Sequence, residues 1–344
     1  MRQPPLRLYA GATLALAITA CAAPAAGNEK EAAVGVTVEL VEYRGWNNNL
    51  KVSNGDAELV VTLDVGPRVI SYKLAGGANV FKNYDEMMGK TNERAWMIRG
   101  GHRLWTGPED TTRTYAPDNG PVASKSLAPG SVRLTPAALT EYGVQKEIDL
   151  TLAPSGSQVR VVHRITNVGK VPTDLAVWSL SVMAPGGTEV IPLPPKTPHP
   201  GDVKNARSAA DFAPNQLVSL WPFTDLKDPR WHFGSKFITL RQDSKLGATK
   251  LGLAHKGGAV GYLNGGTLFV KRFGYVEGSS YPDQGVNFET FTNEDMLEME
   301  SLGPVVRLAP GQSAEHVETW ELFGGVGAST TEAVIEANVG PRLQ

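Results

Sequence analysis

From Val36 to Leu322 the chain runs in short apolar or alternating stretches closed by glycine, proline and asparagine, and the alternation has the period of two that belongs to a β-strand. The stretches are Val36 to Tyr43, Leu50 to Ser53, Glu58 to Asp64, Arg68 to Leu74, Val144 to Leu152, Gln158 to Thr166, Leu175 to Met183, Phe237 to Arg241, Lys250 to His255, Val260 to Leu263, Leu268 to Tyr275, Gly285 to Phe291, Leu297 to Leu302 and Ala314 to Leu322. Asn54-Gly55, Gly66-Pro67, Gly76-Gly77 and Pro154-Ser155-Gly156 supply the turns. Helical periodicity is nearly absent until Thr330 to Asn338. So many strands exceed one small sandwich, which predicts a single all-β domain over residues 36–323, built as one large antiparallel β-sandwich. Residues 324–344 follow as a C-terminal tail with a short helix. The Pro- and Gly-rich segment from Pro185 and the irregular chain through Trp231 read as a long ordered excursion over the sheet.

The first residues have a different logic. Arg2 and Arg7 precede a short apolar run, Leu8 to Ala20, which is a signal peptide and too short for a membrane span. The run Ile18-Thr19-Ala20-Cys21 resembles the bacterial lipoprotein signal, and Cys21 is the only cysteine, so a disulfide within the chain has no partner. Lipidation of Cys21 is the expectation, with residues 21–35 as a flexible tether. Ala22 after the cysteine, where Asp could stand, resembles lipoproteins sent to the outer membrane. The whole chain carries no basic excess, 33 Lys and Arg against 35 Asp and Glu, so nothing points to nucleic acid. Contact with membrane is expected through the anchor alone.

Three stretches concentrate chemistry. Asn287 to Pro304 holds Glu289, Glu294, Asp295, Glu298 and Glu300 among apolar residues. With a period of two, Met296, Glu298, Glu300 and Leu302 face one way and Leu297, Met299 and Ser301 the other. The face with the two carboxylates is either enclosed, which raises carboxyl pKa values and makes acids or bases, or a solvated outer face. Gly100 to Asp110 reads as a glycine-bearing loop that gathers His102, Arg103, Trp105 and Glu109, an aromatic plate beside planar hydrogen-bonding groups of the kind a sugar ring requires. Its bland counterpart is a structured loop in which Arg103 pairs with Glu109 and Trp105 is core. Trp221-Pro222-Phe223 and then Asp228, Arg230, Trp231 and His232 repeat the mixture. His163 lies inside a strand and reads as structural, and His316 has no constellation. No spacing of metal ligands, phosphate-cradling glycine loop or Gly-x-Ser-x-Gly elbow occurs, so neither a metal nor a cofactor is expected.

Leu308-Ala309-Pro310-Gly311-Gln312, with Phe288-Glu289-Thr290 about twenty residues before it, looks like the C-terminal end of galactose mutarotase-like (aldose 1-epimerase-like) proteins. GGHRLWTGPED, VWSLSVMAPGG at 177–187 and DPR at 228–230 look closer to a bacterial lipoprotein branch of that superfamily. The resemblance implies a super-sandwich fold and places the general base at Glu289, with Glu300 as the alternative. It also implies an acid histidine after Thr166-Asn167, yet Ala176 to Leu180 contains none. Mutarotation needs a base for the anomeric hydroxyl and an acid for the ring oxygen, so the acid would have to be His102, His232 or another group.

The reading is therefore an envelope-anchored carbohydrate-binding protein, either a sugar 1-epimerase with a Glu base and a His acid or a non-catalytic glycan-binding lipoprotein. A glycoside hydrolase or polysaccharide lyase is the third reading, on fold alone. The substrate contacts would be Arg103, Trp105, Glu109, Asp228, Arg230 and Trp231. The anchor is testable by itself: Cys21→Ser is expected to move the protein from membrane to soluble fractions, and wild-type membrane retention of the mutant would contradict lipidation.

Overall fold

The computed structural model describes residues 35–344; the expected signal peptide and Cys21 lie outside the described residues, as does nearly all of the tether. Twenty-one strands follow in chain order. The first ten are β1 (Thr37–Tyr43), β2 (Trp46–Ser53), β3 (Ala57–Thr62), β4 (Arg68–Leu74), β5 (Gly101–Gly107), β6 (Val122–Ala128), β7 (Ser131–Pro136), β8 (Val144–Leu152), β9 (Val159–Asn167) and β10 (Thr173–Met183). The others are β11 (Thr188–Pro192), β12 (Val218–Leu220), β13 (Trp231–Phe233), β14 (Phe237–Arg241), β15 (Thr249–Leu253), β16 (Ala259–Asn264), β17 (Thr267–Phe273), β18 (Phe288–Thr292), β19 (Leu297–Leu302), β20 (Val306–Leu308) and β21 (Ser313–Phe323).

They form two antiparallel sheets, as the periodicity requires. An 11-stranded sheet runs β1-β2-β3-β4-β5-β10-β19-β18-β15-β12 with β20 paired to β10, and a 10-stranded sheet runs β13-β14-β11-β16-β17-β21-β9-β8-β7-β6. One continuous apolar core fills the space between them, with Leu59, Val69, Leu104, Val177, Met299, Val161, Phe269 and Trp320 among its members. The helix α1 (Glu332–Asn338) covers the outer face of the second sheet, where Ile335, Val339 and Leu343 pack on Val190, Phe237 and Leu268.

Two expectations are corrected. Gly100 to Asp110 is mostly strand, since β5 hydrogen-bonds along its length to β10, and all seven of its residues are buried. The glycines that suggested a loop serve its entry: Gly100 and Gly101 have positive φ, and a Cβ on either would meet backbone at 2.1 and 2.3 Å. The excursion from Pro185 contains β11, which lies between β14 and β16 inside the second sheet. Its run Thr188-Glu189-Val190-Ile191 is buried, with the β-branched Thr188, Val190 and Ile191, and Pro192 falls at its end, where a missing N–H is tolerated.

Between the sheets lies a polar network. Glu318 on β21 pairs with Lys271 on β17 at 3.0 Å, both fully buried. Its carboxylate also accepts from Ser179, from Ser301 at 2.6 Å and from Trp320 Nε1 at 2.7 Å. Three histidines surround it. His163 Nδ1–H donates to the His316 carbonyl at 3.1 Å, which leaves its Nε2 as the acceptor of His102 Nε2–H at 2.6 Å. Ser181 Oγ, 2.9 Å away, then donates to His102 Nδ1. Burial holds all three imidazoles below their ordinary pKa, His316 at about 3, while Lys271 holds the Glu318 carboxyl well below the usual range. The sign of the pH dependence follows. Unfolded histidines take up protons below about pH 6.5 that the folded core refuses, and an ionised Glu318 stabilises only above its unfolded value. Both contributions are lost in acid. Taken alone, the histidines lose about 1.4 kcal/mol each per pH unit below about 6.5; the buried carboxyls of Glu189, raised to about 8, and Glu289, raised well above its usual range, act in the opposite sense, since they keep protons that the unfolded chain releases and so gain stability as pH falls. Imidazole NMR shifts of His102 and His316 should stay those of neutral rings from pH 7 to pH 5, and protonation of either within that range in the folded protein would contradict the neutral-histidine core.

Candidate functional site

The faces of β5, β10 and β19 that point away from the core build a pocket. Register decides which side chains share it: Trp178 stands opposite Trp105 and Leu302, Leu180 opposite Arg103 and Glu300, Glu300 opposite Glu289, and Glu298 opposite Phe291. These residues therefore lie on one face, and the intervening His102, Leu104, Ser179, Ser181 and Ser301 lie on the other. The cavity has a volume of about 300 Å³. Its wall is aromatic. Trp105 packs edge-on against Trp96, Tyr115 and Trp178 at centroid distances of 5.0, 5.0 and 5.3 Å, and Trp221 and Phe223 close the other side.

Two ion clusters sit in this wall. Arg103 pairs with Glu298 at 2.7 Å, and its guanidinium lies over Trp105 at 4.4 Å and Trp96 at 5.2 Å. Lys250 contacts Glu289 at 2.6 Å and Glu300 at 3.2 Å, over the rings of Trp221 and Trp178 at 4.7 and 5.1 Å. Trp178 Nε1–H donates to Glu300 at 3.1 Å. One cation serves two buried carboxyls. Burial therefore raises Glu289 well above the carboxylate range, with Glu300 and Asp283 adding to the effect, and it raises Glu300 as well despite Lys250. The arrangement is satisfied when Glu289 keeps its proton and Glu300 is the ion facing Lys250.

The sequence-predicted residues divide cleanly. Arg103, Trp105, Glu109 and Glu300 line the pocket, Glu109 at its exposed rim, where it accepts from Tyr115 at 2.5 Å and leaves Arg103 to Glu298. Glu289 is fully buried behind Lys250 and does not line the cavity. His102 does not reach the pocket: adjacent strand residues point to opposite faces, so placing Arg103 in the site sends His102 into the core network. Asp228, Arg230, Trp231 and His232 are not brought to it either, because β13 pairs with β14 at the edge of the other sheet. There Arg230 is held by Asp228 at 2.7 Å and by the carbonyls of Leu246 and Gly247, Trp231 donates to Thr249 at 3.0 Å, and His232 is exposed. Lys250, Trp96, Tyr115 and Trp178 belong to the site and were not singled out beforehand. Lys250 had a legible signal, a cation opening an otherwise apolar strand.

Among the described residues, His102, His163 and Glu318 are the group close enough to share a metal ion. Their geometry is that of a proton-bonded network. Two imidazole nitrogens on one tetrahedral ion with bonds near 2.0–2.1 Å would stand about 3.3 Å apart, against the 2.6 Å here. A larger cavity of about 650 Å³ lies between Pro192–Pro195 and the C-terminal residues 340–344, and it holds none of the clustered carboxyls.

No protein-family model matches the chain, and no curated protein matches it. Solved structures do. A TPR-domain containing protein from Parabacteroides distasonis superposes with a TM-score of 0.53 at 15% identity, over 83% of this chain and 49% of that one, so the chain spans about half of that protein. A galactose mutarotase-like protein from Lactobacillus casei gives 0.51 at 10% identity over 80% and 100% of the two chains. Another from Clostridium acetobutylicum gives 0.50 at 10% identity over 84% and 99%. Identities this low establish the fold, a galactose mutarotase-like β-sandwich, and leave the chemistry to the site.

The proton on Glu289 is testable. Glu289→Gln should cost under about 1 kcal/mol at pH 7 in urea denaturation, because the amide replaces a neutral acid of the same shape. A loss of about 3 kcal/mol or more, the usual cost of breaking a buried ion pair, would mean that Glu289 is ionised.

Proposed function

We propose, on the premise that the chain has the galactose mutarotase-like fold, that it is a carbohydrate-binding protein whose pocket on the β5-β10-β19 face holds one sugar ring. The observation that carries this reading is the wall itself: four indoles, a phenol and two phenyl rings, Phe223 and Phe291, surround two ion-paired carboxylates in a cavity of about 300 Å³. A sugar offers C–H faces for the rings and hydroxyl donors for Glu298 and Glu300, whose positions are already fixed by Arg103 and Lys250. Preorganised acceptors lose little entropy on binding. With the expected lipidation of Cys21, the protein would present this pocket at the cell envelope, on the outer membrane.

A sugar 1-epimerase is the second reading, favoured by the Glu300 carboxyl in the pocket. There Glu300 takes the anomeric hydroxyl proton, and an acid delivers one to the ring oxygen as the ring C–O bond opens. Neither His102 nor His232 reaches the pocket to serve as that acid, which is why binding stands first. A hydrolase or lyase has less support. Glu298 and Glu300 sit side by side on one strand, roughly 6–7 Å apart along it, and each is tied to a cation.

A monosaccharide and glycan binding screen followed by anomer exchange measured by NMR separates these readings. Binding is expected, with Trp105→Ala weakening it by on the order of tenfold or more through lost stacking. Exchange no faster than the protein-free rate fits the binding reading. Accelerated exchange that Glu300→Gln abolishes would replace it with the epimerase, and no binding by any sugar would overturn both.

A further inference from the structure

The polar atoms that the pocket leaves open to a ligand are acceptors. Glu298 is 6% exposed; its Oε1 is enclosed beside Arg103 at 2.7 Å, and its Oε2 keeps an open side with no hydrogen-bond partner. Glu300 spends Oε2 on Trp178 and Lys250 and has Oε1 left over. Glu109, exposed at the rim, uses Oε1 for the Tyr115 hydroxyl and keeps Oε2 free. The donors are committed or enclosed. Tyr115 gives its proton to Glu109, Lys250 lies between Glu289 and Glu300, and the indole N–H groups of Trp96 and Trp105 are sealed in the wall. A ligand that satisfies this pocket is therefore rich in donors.

Charge selects among donors. Glu289 is enclosed and keeps its proton, so the site sets Glu109, Glu298 and Glu300 against Arg103 and Lys250, with one negative charge in surplus. Glu300 and Lys250 balance each other between the rings of Trp178 and Trp221. The surplus lies at the other end, where Glu109 and Glu298 share the single cation Arg103. Burial holds the Tyr115 hydroxyl above its usual pKa and both of these carboxylates add to the effect, so both stand near that ring. Arg103 is 1% exposed with its guanidinium over Trp96 and Trp105, so the carboxylate oxygen, rather than the guanidinium, meets the cavity. Trp96 and Tyr115 line the same end with rings 5.6 Å apart, and aromatic rings attract a cation at their faces.

Resting on the sugar-binding reading, we propose that the pocket is specific for an amino sugar with a free, charged amine, whose ammonium donates to Glu298 Oε2 and Glu109 while a ring hydroxyl donates to Glu300. A plain hexose fills the same stacking surface and leaves the surplus charge unpaired. An acetylated amine is neutral, and a uronate or a sugar phosphate adds to the negative charge.

The test is calorimetric titration of the full chain at about pH 6, where the amine is charged, with D-glucosamine and D-galactosamine against D-glucose, D-galactose and the two N-acetyl forms. It is repeated on Glu109→Gln, which removes charge from an exposed residue and spares the fold. The amino sugar of at least one series should bind about fivefold or more tighter than its parent hexose. Its N-acetyl form should lack that gain, and Glu109→Gln should lower the ratio of amino sugar to hexose severalfold. A parent hexose that binds as well as its amino sugar overturns the inference and leaves the sugar-binding reading standing. An N-acetyl form that binds as tightly as the free amine also overturns it, and so does a ratio that Glu109→Gln leaves unchanged. Absence of binding by every sugar removes the inference together with the reading on which it rests.

Discussion

Each of β5, β10 and β19 is shared between two polar systems, and the alternation of a β-strand is what keeps these apart. On β5, His102 enters the core network and Arg103 the pocket; on β10, Ser179 and Ser181 go inward while Trp178 and Leu180 go outward; on β19, Ser301 reaches Glu318 and Glu300 reaches Lys250. The pocket is thus backed by a hydrogen-bonded layer, with no side-chain network crossing the sheet. Shifting any one of these strands by a single residue would exchange the two sets and bury unpaired charge on one side.

Buried charge is the second constraint. The core ion pair, Lys271 with Glu318, is enclosed by hydroxyl and indole donors that satisfy the carboxylate, so it stays ionised between two apolar sheets. The pocket clusters differ in having too few cations or too few acceptors. Lys250 serves two carboxyls, and the Arg103 wall has donors without partners. Such imbalance costs folding stability, and on this face it coincides with an aromatic-walled cavity, which is the physical reason to regard that face as the working one.

Much of the fold was legible because period-two alternation survives wherever one sheet face is core and the other is not. It failed at β5, which is buried on both faces, so its glycines were the louder signal, and at β11, where neighbouring prolines obscured a short buried run. The site was legible in part. Glu298 and Glu300 share a face as the alternation required, and Arg103 and Trp105 stand with them. Reading residues 100–110 as a loop grouped His102 with Arg103, although on a strand such neighbours diverge. The Asp228 to His232 stretch mimicked a site because the Asp228 carboxylate folds back on the Arg230 guanidinium and accepts from the Arg230 backbone N–H, which is local turn chemistry. Trp96 and Tyr115 come to the pocket from irregular segments, where no periodicity announces a direction.

The central claim is that the indole-walled face of the first sheet, and no other surface, receives a sugar ring. Saturation-transfer difference NMR on a bound monosaccharide tests it most directly, since it reports which ligand protons touch protein. The account expects saturation strongest on the ring C–H protons of one sugar face, lost when Trp105 and Trp178 are both replaced by leucine and retained when exposed Phe233 on the other sheet is replaced instead. Saturation that survives the double replacement would contradict the assignment of the site.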